Sequence, residues 1–242
     1  MGKARAAKRQ AHIKSTNNVV KLNNFLPQKS RSVELNPRNR SQEKYILELL
    51  DDSKNIVFGI GPAGTGKTML ACLAGVKSFL NGQVDRIIVT RPAVSADEDL
   101  GFLPGTLEEK MAPWTRPVFD VFREYFYANE IEGMIKEGVI EISPLAYMRG
   151  RTFKDSFIIA DEMQNATPNQ MKMLLTRIGT GSKMVVTGDL AQADRLKDNG
   201  LIDFVNHLDQ AETSRISTVK FHHKDIERHE AVTEVLKIYG DA

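Results

Sequence analysis

Eight consecutive residues, Gly61-Pro62-Ala63-Gly64-Thr65-Gly66-Lys67-Thr68, carry the densest chemistry in the chain. An apolar run ends just before them at Ile60, and a helical pattern runs from Lys67 to about Leu80, closed by Asn81-Gly82. A GxxxxGK[ST] stretch between a strand and a helix is what a triphosphate cradle requires. Glycine tolerates positive φ, so successive backbone N–H groups can turn inward and form an anion nest. The following helix points its positive end at the same spot. Gly61, Pro62, Ala63, Gly64, Thr65 and Gly66 would then wrap the phosphates. Lys67 would bring a compact charge to the β- and γ-phosphates of ATP, and the Thr68 hydroxyl would ligate Mg²⁺.

Such a cradle needs an acid at the tip of a second apolar strand. Phe157-Ile158-Ile159-Ala160-Asp161-Glu162 supplies two. Asp161 is placed to hold the Mg²⁺ through water, and Glu162 to polarise the water attacking the γ-phosphate. An adjacent Asp-Glu pair favours hydrolysis over phosphorylation of a small acceptor. A third strand ends in Val186-Thr187-Gly188-Asp189, with Gln192 three residues on. Gln192 is the expected γ-phosphate contact and Asp189 the residue ordering the turn; a plain Asx-type turn is the other reading.

Hydrolysis also calls for a cation beyond the cradle lysine, worth ~10³–10⁵ in rate. Arg149, Arg151, Arg177 and Arg228 are the candidates. Helical spacing puts Arg228 on a stripe with Val232, Leu236 and Tyr239. A guanidinium on an apolar stripe needs a partner. Either it pairs within its own fold, or the stripe is a subunit interface and Arg228 reaches a neighbour's γ-phosphate.

The elements that must position these groups alternate. Strands are expected over Asn55–Ile60, Arg86–Thr90, Val139–Ile142, Phe157–Ala160, Lys183–Thr187 and Thr218–Phe221. Most are nearly continuous in hydrophobicity, as parallel strands covered on both faces are. A helix is expected from Ser41 to about Leu50, with Tyr45, Ile46, Leu49 and Leu50 on one face. Another opens on Thr167-Pro168, carries Met171, Leu174, Leu175 and Ile178 on one stripe, and stops at Gly179. The pattern predicts an α/β fold: a P-loop NTPase core with a doubly wound, mainly parallel sheet and helices on both faces. Residues 35–242 form this core, and an insertion of loops and helices occupies about 91–137. Trp114, in its proline-rich KMAPWTRPVFD stretch, either stacks a base or anchors the insertion. His222 and His223 read as surface residues and Cys72 as helix packing.

The 242 residues suit one such domain, and 41% hydrophobic with 26% charged residues excludes a disordered or fibrous chain. No run approaches the ~20 apolar residues of a membrane helix. The basic N-terminus has no apolar stretch behind it, so a secretory leader and a membrane partner are not expected. One cysteine excludes an internal disulfide and fits a reducing, cytoplasmic setting. The net charge of +2 conceals an asymmetry. Residues 1–40 hold ten Lys or Arg against one acid, Glu34, while the rest holds 23 bases and 30 acids. Residues 1–34 thus read as a basic arm, either contacting nucleic acid or merely solubilising.

Together these motifs resemble the PhoH family of P-loop ATPases, whose core is similar to that of superfamily-one helicases. The likeness runs from about Leu35 to the C-terminus through GPAGTGKT (61–68), TRPAVSADEDLGFLPGTLEEK (90–110), PLAYMRGRTF (144–153), IIADEMQNATPNQMKMLLTRIG (158–179), MVVTGDLAQAD (184–194) and DIERHEAV (225–232). It implies a homo-oligomeric, hexameric ring that couples ATP hydrolysis to translocation along, or unwinding of, single-stranded nucleic acid, RNA before DNA. Arg91, the arm and the basic loops would then line a channel. A ring that switches with nucleotide and acts on a protein partner is the alternative. Longer family members carry a nuclease-like domain ahead of the core. This chain has only the arm there, so ribonuclease activity is not expected. The helicase likeness also makes Leu35-Asn36 and Gln42 resemble the glutamine motif that reads the adenine edge; an exposed helix-start glutamine is the other reading.

Overall fold

A computed structural model describes residues 32–92, 107–192, 199–227 and 230–239. The basic arm therefore lies, except for its last three residues, outside the described residues, as does Arg228. Six strands form one sheet: β1 (Ile56–Ile60), β2 (Arg86–Arg91), β3 (Ile140–Pro144), β4 (Ser156–Ala160), β5 (Lys183–Gly188) and β6 (Ile216–Lys220). All five pairings are parallel, in the order β3-β2-β4-β5-β1-β6. β1, the strand that feeds the glycine-rich loop, lies between β5 and β6.

Alternation along each strand splits the core in two. Val57, Ile87, Val89, Phe157, Ile159 and Val185 face one layer of helices: α1 (Arg40–Leu50), α2 (Lys67–Leu80), α3 (Leu107–Tyr125) and α4 (Ala128–Lys136). Ile56, Phe58, Ile88, Ile158, Met184 and Val186 face the other, where α5 (Pro168–Leu175) and α6 (Gly200–Leu208) pack. A final helix, α7, spans Glu230–Tyr239. Both faces are covered, which is why β1 and β4 are buried at every position and read as unbroken apolar runs.

The stretch expected as an insertion supplies, over 107–136, two helices crossing from β2 to β3. Val118, Val121, Phe122 and Phe126 of this stretch belong to the main core. KMAPWTRPVFD is helical despite Pro113 and Pro117, and so is not a loop. Burial of Val118 and Phe122 along α3 offsets the two rungs that proline cannot donate. The Thr167-Pro168 helix opens with the expected cap and a reciprocal Gln170 bond, yet ends at Leu175, one turn before Ile178. Ile178 instead bridges Phe153, because Gly179 approaches Phe153 too closely for any side chain: a Cβ there would lie 2.5 Å from the Phe153 carbonyl oxygen. The last strand sits about two residues earlier than its hydrophobicity suggests, because an edge strand needs to bury only one side.

Phe157 is fully buried at the sheet centre and packs against Gly75 of α2. Phe157→Ala should lower the unfolding free energy by ~3–5 kcal/mol, measured by urea denaturation with an unchanged m-value.

Candidate active site

The glycine-rich loop is held open by backbone alone. Gly61, Gly64 and Gly66 adopt φ of 146°, 80° and 82°. At Gly61 a Cβ would also lie 2.4 Å from the Phe221 carbonyl oxygen, so no larger residue fits. Three other elements fasten the loop: Gly61 N–H donates to Gly188 O (3.0 Å), Glu227 N–H donates to Gly64 O (3.0 Å), and Gln42 Nε2 donates to Thr65 O (3.1 Å). Gly66 in the left-handed region begins α2 with no side-chain cap, which leaves the first N–H groups of that helix facing the loop.

Lys67 is buried, 8% exposed, and its ammonium donates to Gly61 O and Pro62 O, each at 2.7 Å. Burial pulls its pKa down, while Asp189, Asp161 and Glu162 push it back up. Thr68 Oγ1 donates to Asp161 Oδ1 at 2.7 Å, so the cradle and the tip of β4 meet directly. The same carboxylate oxygen accepts from Thr187 of β5. Ala63, Gly64, Gly66, Lys67, Thr68, Met69, Asp161, Glu162, Gly188 and Asp189 surround one cavity of about 260 Å³. A hydroxyl and a carboxylate in contact suit a hard, oxygen-preferring cation such as Mg²⁺. Among the described residues no cluster of three or more His, Cys, Asp or Glu could hold a metal unaided. Thr68 and Asp161 therefore fit a metal shared with phosphates and water rather than one enclosed by protein.

Glu162 occupies the left-handed region at φ 54°, a conformation that costs a non-glycine residue ~1–2 kcal/mol. Gln164, 1% exposed, compensates: its Nε2 donates to Glu162 Oε2 and its Oε1 accepts from Asp189 N–H at 3.1 Å. One buried amide thus ties the carboxylate after β4 to the turn after β5. Asp189 itself accepts from Ala191 N–H at 3.0 Å and orders that turn, which continues into a single 3₁₀ turn, Leu190–Gln192.

The remaining expected residues divide. Pro62 accepts from Thr65 Oγ1 at 2.9 Å, so Thr65 closes the loop internally. Gln42 is not an exposed helix-start residue; it is 1% exposed, and its Oε1 accepts from Arg38 N–H at 2.9 Å. Arg151 forms a bidentate pair with Glu141 and lies 4.7 Å above the Phe153 ring. Arg177 is spent on Met173 O, Arg151 O and Thr176 Oγ1. Both guanidinium groups are engaged within the fold. Gln192 closes the turn after Asp189, and Arg228 lies outside the described residues. His222 and His223 are exposed. Cys72 is fully buried, and burial pushes its thiol well above the ordinary range, as befits packing.

Two site residues escaped the sequence reading. Thr187 precedes the Gly-Asp pair, and its role follows from the pairing of β4 with β5, which sets Ala160 opposite Val186 and hence Asp161 beside Thr187. Gln164 carried a weaker signal, an amide directly after the fully buried Met163.

A parallel sheet, a glycine nest at the end of β1 and carboxylates at the end of β4 define a P-loop NTPase-like core. The chain belongs to the PhoH-like protein family, which it matches over residues 34–240. It is 45% identical to the PhoH-like protein of Mycobacterium leprae over 216 residues, covering 87% of this chain and 60% of that one. It is 45% identical to the PhoH-like protein of Bacillus subtilis, covering 84% and 63%. Protein PhoH of Escherichia coli K12 is 40% identical, covering 84% and 57%. The chain thus spans roughly three-fifths of the length of these curated relatives. Among solved structures it is similar to the UvsW helicase from bacteriophage T4, at 12% identity and a TM-score of 0.48 over 82% of this chain and 64% of that one.

Thr187→Val removes one hydroxyl from Asp161 without changing side-chain volume. Stability should fall by ~1–3 kcal/mol in thermal denaturation. Affinity for a Mg²⁺–ATP analogue should fall about 10- to 100-fold in titration, and Thr187→Ser should restore most of it.

Proposed function

We propose that this chain hydrolyses ATP to ADP and phosphate, coupled to movement along or unwinding of single-stranded nucleic acid, RNA before DNA, as a ring-forming homo-oligomer. The observation carrying the reading is the 2.7 Å contact of Thr68 with Asp161, with Glu162 on the same cavity. The nest and the α2 N-terminus bind the polyphosphate, and Lys67 exchanges its loop carbonyls for phosphate oxygens. Mg²⁺ held by Thr68 and, through water, by Asp161 would neutralise charge on the β- and γ-phosphates. Glu162 accepts a proton from the attacking water, and its αL backbone sets where that carboxylate points. Gln192, at the end of the turn after Asp189, would serve as the γ-phosphate contact.

Gln42 keeps one amide N–H and one carbonyl lone pair beyond its two bonds, which is what an adenine edge takes. Arg228 would serve as the transition-state cation for a neighbouring copy. Self-association draws support from α7, which leaves Val232, Val235 and Ile238 exposed at 44%, 49% and 81%. Six copies closing a ring and a cytoplasmic setting complete the reading. No helix among the described residues is long and apolar enough to cross a membrane.

Phosphate release is the test, measured with and without single-stranded RNA and DNA beside the molar mass in solution with ATP. Glu162→Gln should lower kcat by ~10²–10⁴ while ATP-analogue binding stays near that of the native chain. Undiminished turnover in that variant overturns the hydrolytic assignment. Turnover indifferent to both polynucleotides favours the alternative, a ring switch acting on protein.

A further inference from the structure

The segment joining β3 to β4 is anchored at both ends and displays two side chains between the anchors. Leu145 and Met148, in the 3₁₀ turn after β3, are 1% and 0% exposed. Tyr147 between them is 59% exposed, and Arg149 next to them is exposed as well. Gly150 then reverses the chain at φ 78° with open space around its Cα. Beyond it, Arg151 is locked onto Glu141 by two parallel bonds, and Phe153 is buried at 2%. Phe153 N–H donates to Arg177 O at 2.9 Å, and Gly179 N–H donates to Phe153 O at 2.6 Å. A turn so fixed presents an aromatic ring and a guanidinium at little further cost in ordering.

Charge decides what they would meet. Arg151 consumes Glu141, and Arg149 finds no acidic partner among the described residues. β2 ends alongside β3, with Arg91 opposite Pro144. The Arg91 Nε is buried and has no hydrogen-bond partner, a donor that needs an acceptor from elsewhere. All three groups lie at the end of the sheet that also carries the cradle, where Asp161 N–H donates to Thr90 O beside Arg91 at 2.9 Å. An exposed ring with an arginine two residues on, unpaired among the described residues, after a strand whose end lies opposite Arg91, fits a base with its phosphates better than it fits an apolar protein surface.

We propose that Tyr147 and Arg149, with Arg91 at the end of β2, form a contact site for single-stranded nucleic acid, in which Tyr147 stacks on a base and the two arginines hold flanking phosphates. The site rests on the reading of the chain as a nucleic-acid-coupled ATPase and supplies the contact that reading needs. Strand and nucleotide would then meet at the ends of neighbouring strands, β2 and β4.

Fluorescence anisotropy of the full chain on labelled oligouridine tests this. Tyr147→Ala should weaken binding by about 5- to 100-fold, since stacking contributes ~1–3 kcal/mol per base, whereas Tyr147→Phe should bind like the native chain. Arg149→Ala should lower affinity and reduce the salt slope by ~0.7. Thermal midpoints of all three variants should match that of the native chain, because both side chains are exposed. Unchanged affinity and slope in Tyr147→Ala and Arg149→Ala, with the native chain binding, overturns the site while the proposed coupling stands. A shift in solution mass with affinity intact would make the turn a subunit contact and overturn the site too. A native chain that turns over ATP but binds no oligonucleotide would sink both the site and the coupling, leaving hydrolysis in place.

Discussion

One carboxylate oxygen organises the centre of this molecule. Asp161 Oδ1 accepts from Thr68 at the start of α2 and from Thr187 at the end of β5, while its own N–H is bonded to Thr90 of β2. Four elements therefore meet on one acid: β4, which carries it, α2, β5 and β2. Such a contact is available only where parallel strands end in line, so that residues following β4 and β5 stand side by side. The all-parallel sheet is in turn stable only because helices cover both faces. Site geometry and fold class are thus a single constraint seen at two scales.

That dependence explains what could be read from the residues alone. β1, β4 and β5 announce themselves through unbroken apolar runs, because a strand buried on both sides has no polar register to keep. The GPAGTGKT loop is equally plain, since positive φ at Gly61, Gly64 and Gly66 leaves few alternatives to glycine. Contacts between strand ends are another matter. A strand ending in a γ-phosphate contact is expected beside β1, and β5 lies there, but no local pattern near Thr187 records that its hydroxyl meets Asp161. The same limit hid Gln164, whose partners Glu162 and Asp189 belong to segments far apart in sequence. The end of α5 was misjudged for a related reason. Periodicity reaches Ile178, but the approach of Gly179 to Phe153, invisible in either segment by itself, turns the chain away.

Arginines show how burial and pairing narrow a field that sequence leaves wide. Four are candidates for transition-state stabilisation, with Arg228 singled out by its apolar stripe. Arg151 and Arg177 are engaged within the fold, two donors of Arg151 on Glu141 and three of Arg177 on Met173 O, Arg151 O and Thr176 Oγ1. A bidentate pair on a half-buried glutamate holds that carboxyl below its usual range and anchors a turn. Arg149, two residues away in the same motif, is left exposed. A motif rich in basic residues is therefore not one functional unit: part of it builds the platform and part of it is what the platform displays.

Electrostatics of the cavity follow from the same economy. Asp161, Glu162 and Asp189 surround a single buried ammonium, Lys67, so its side chains are on balance anionic. A polyphosphate approaching side chains alone would be repelled. Attraction beyond that of Lys67 comes from groups that carry no formal charge: the inward N–H groups of the glycine loop and the uncapped start of α2. These dipoles are fixed by backbone, which is why the loop is fastened by Gln42, Gly188 and Glu227 rather than left to be ordered by its ligand. In the proposed reading, these rigid neutral donors and Lys67 would bind the phosphates, and the acids beside them would hold a divalent cation and take a proton from water. One cavity can serve both tasks because the two kinds of group come from different parts of the chain, backbone from the loop after β1 and carboxylates from the tips of β4 and β5.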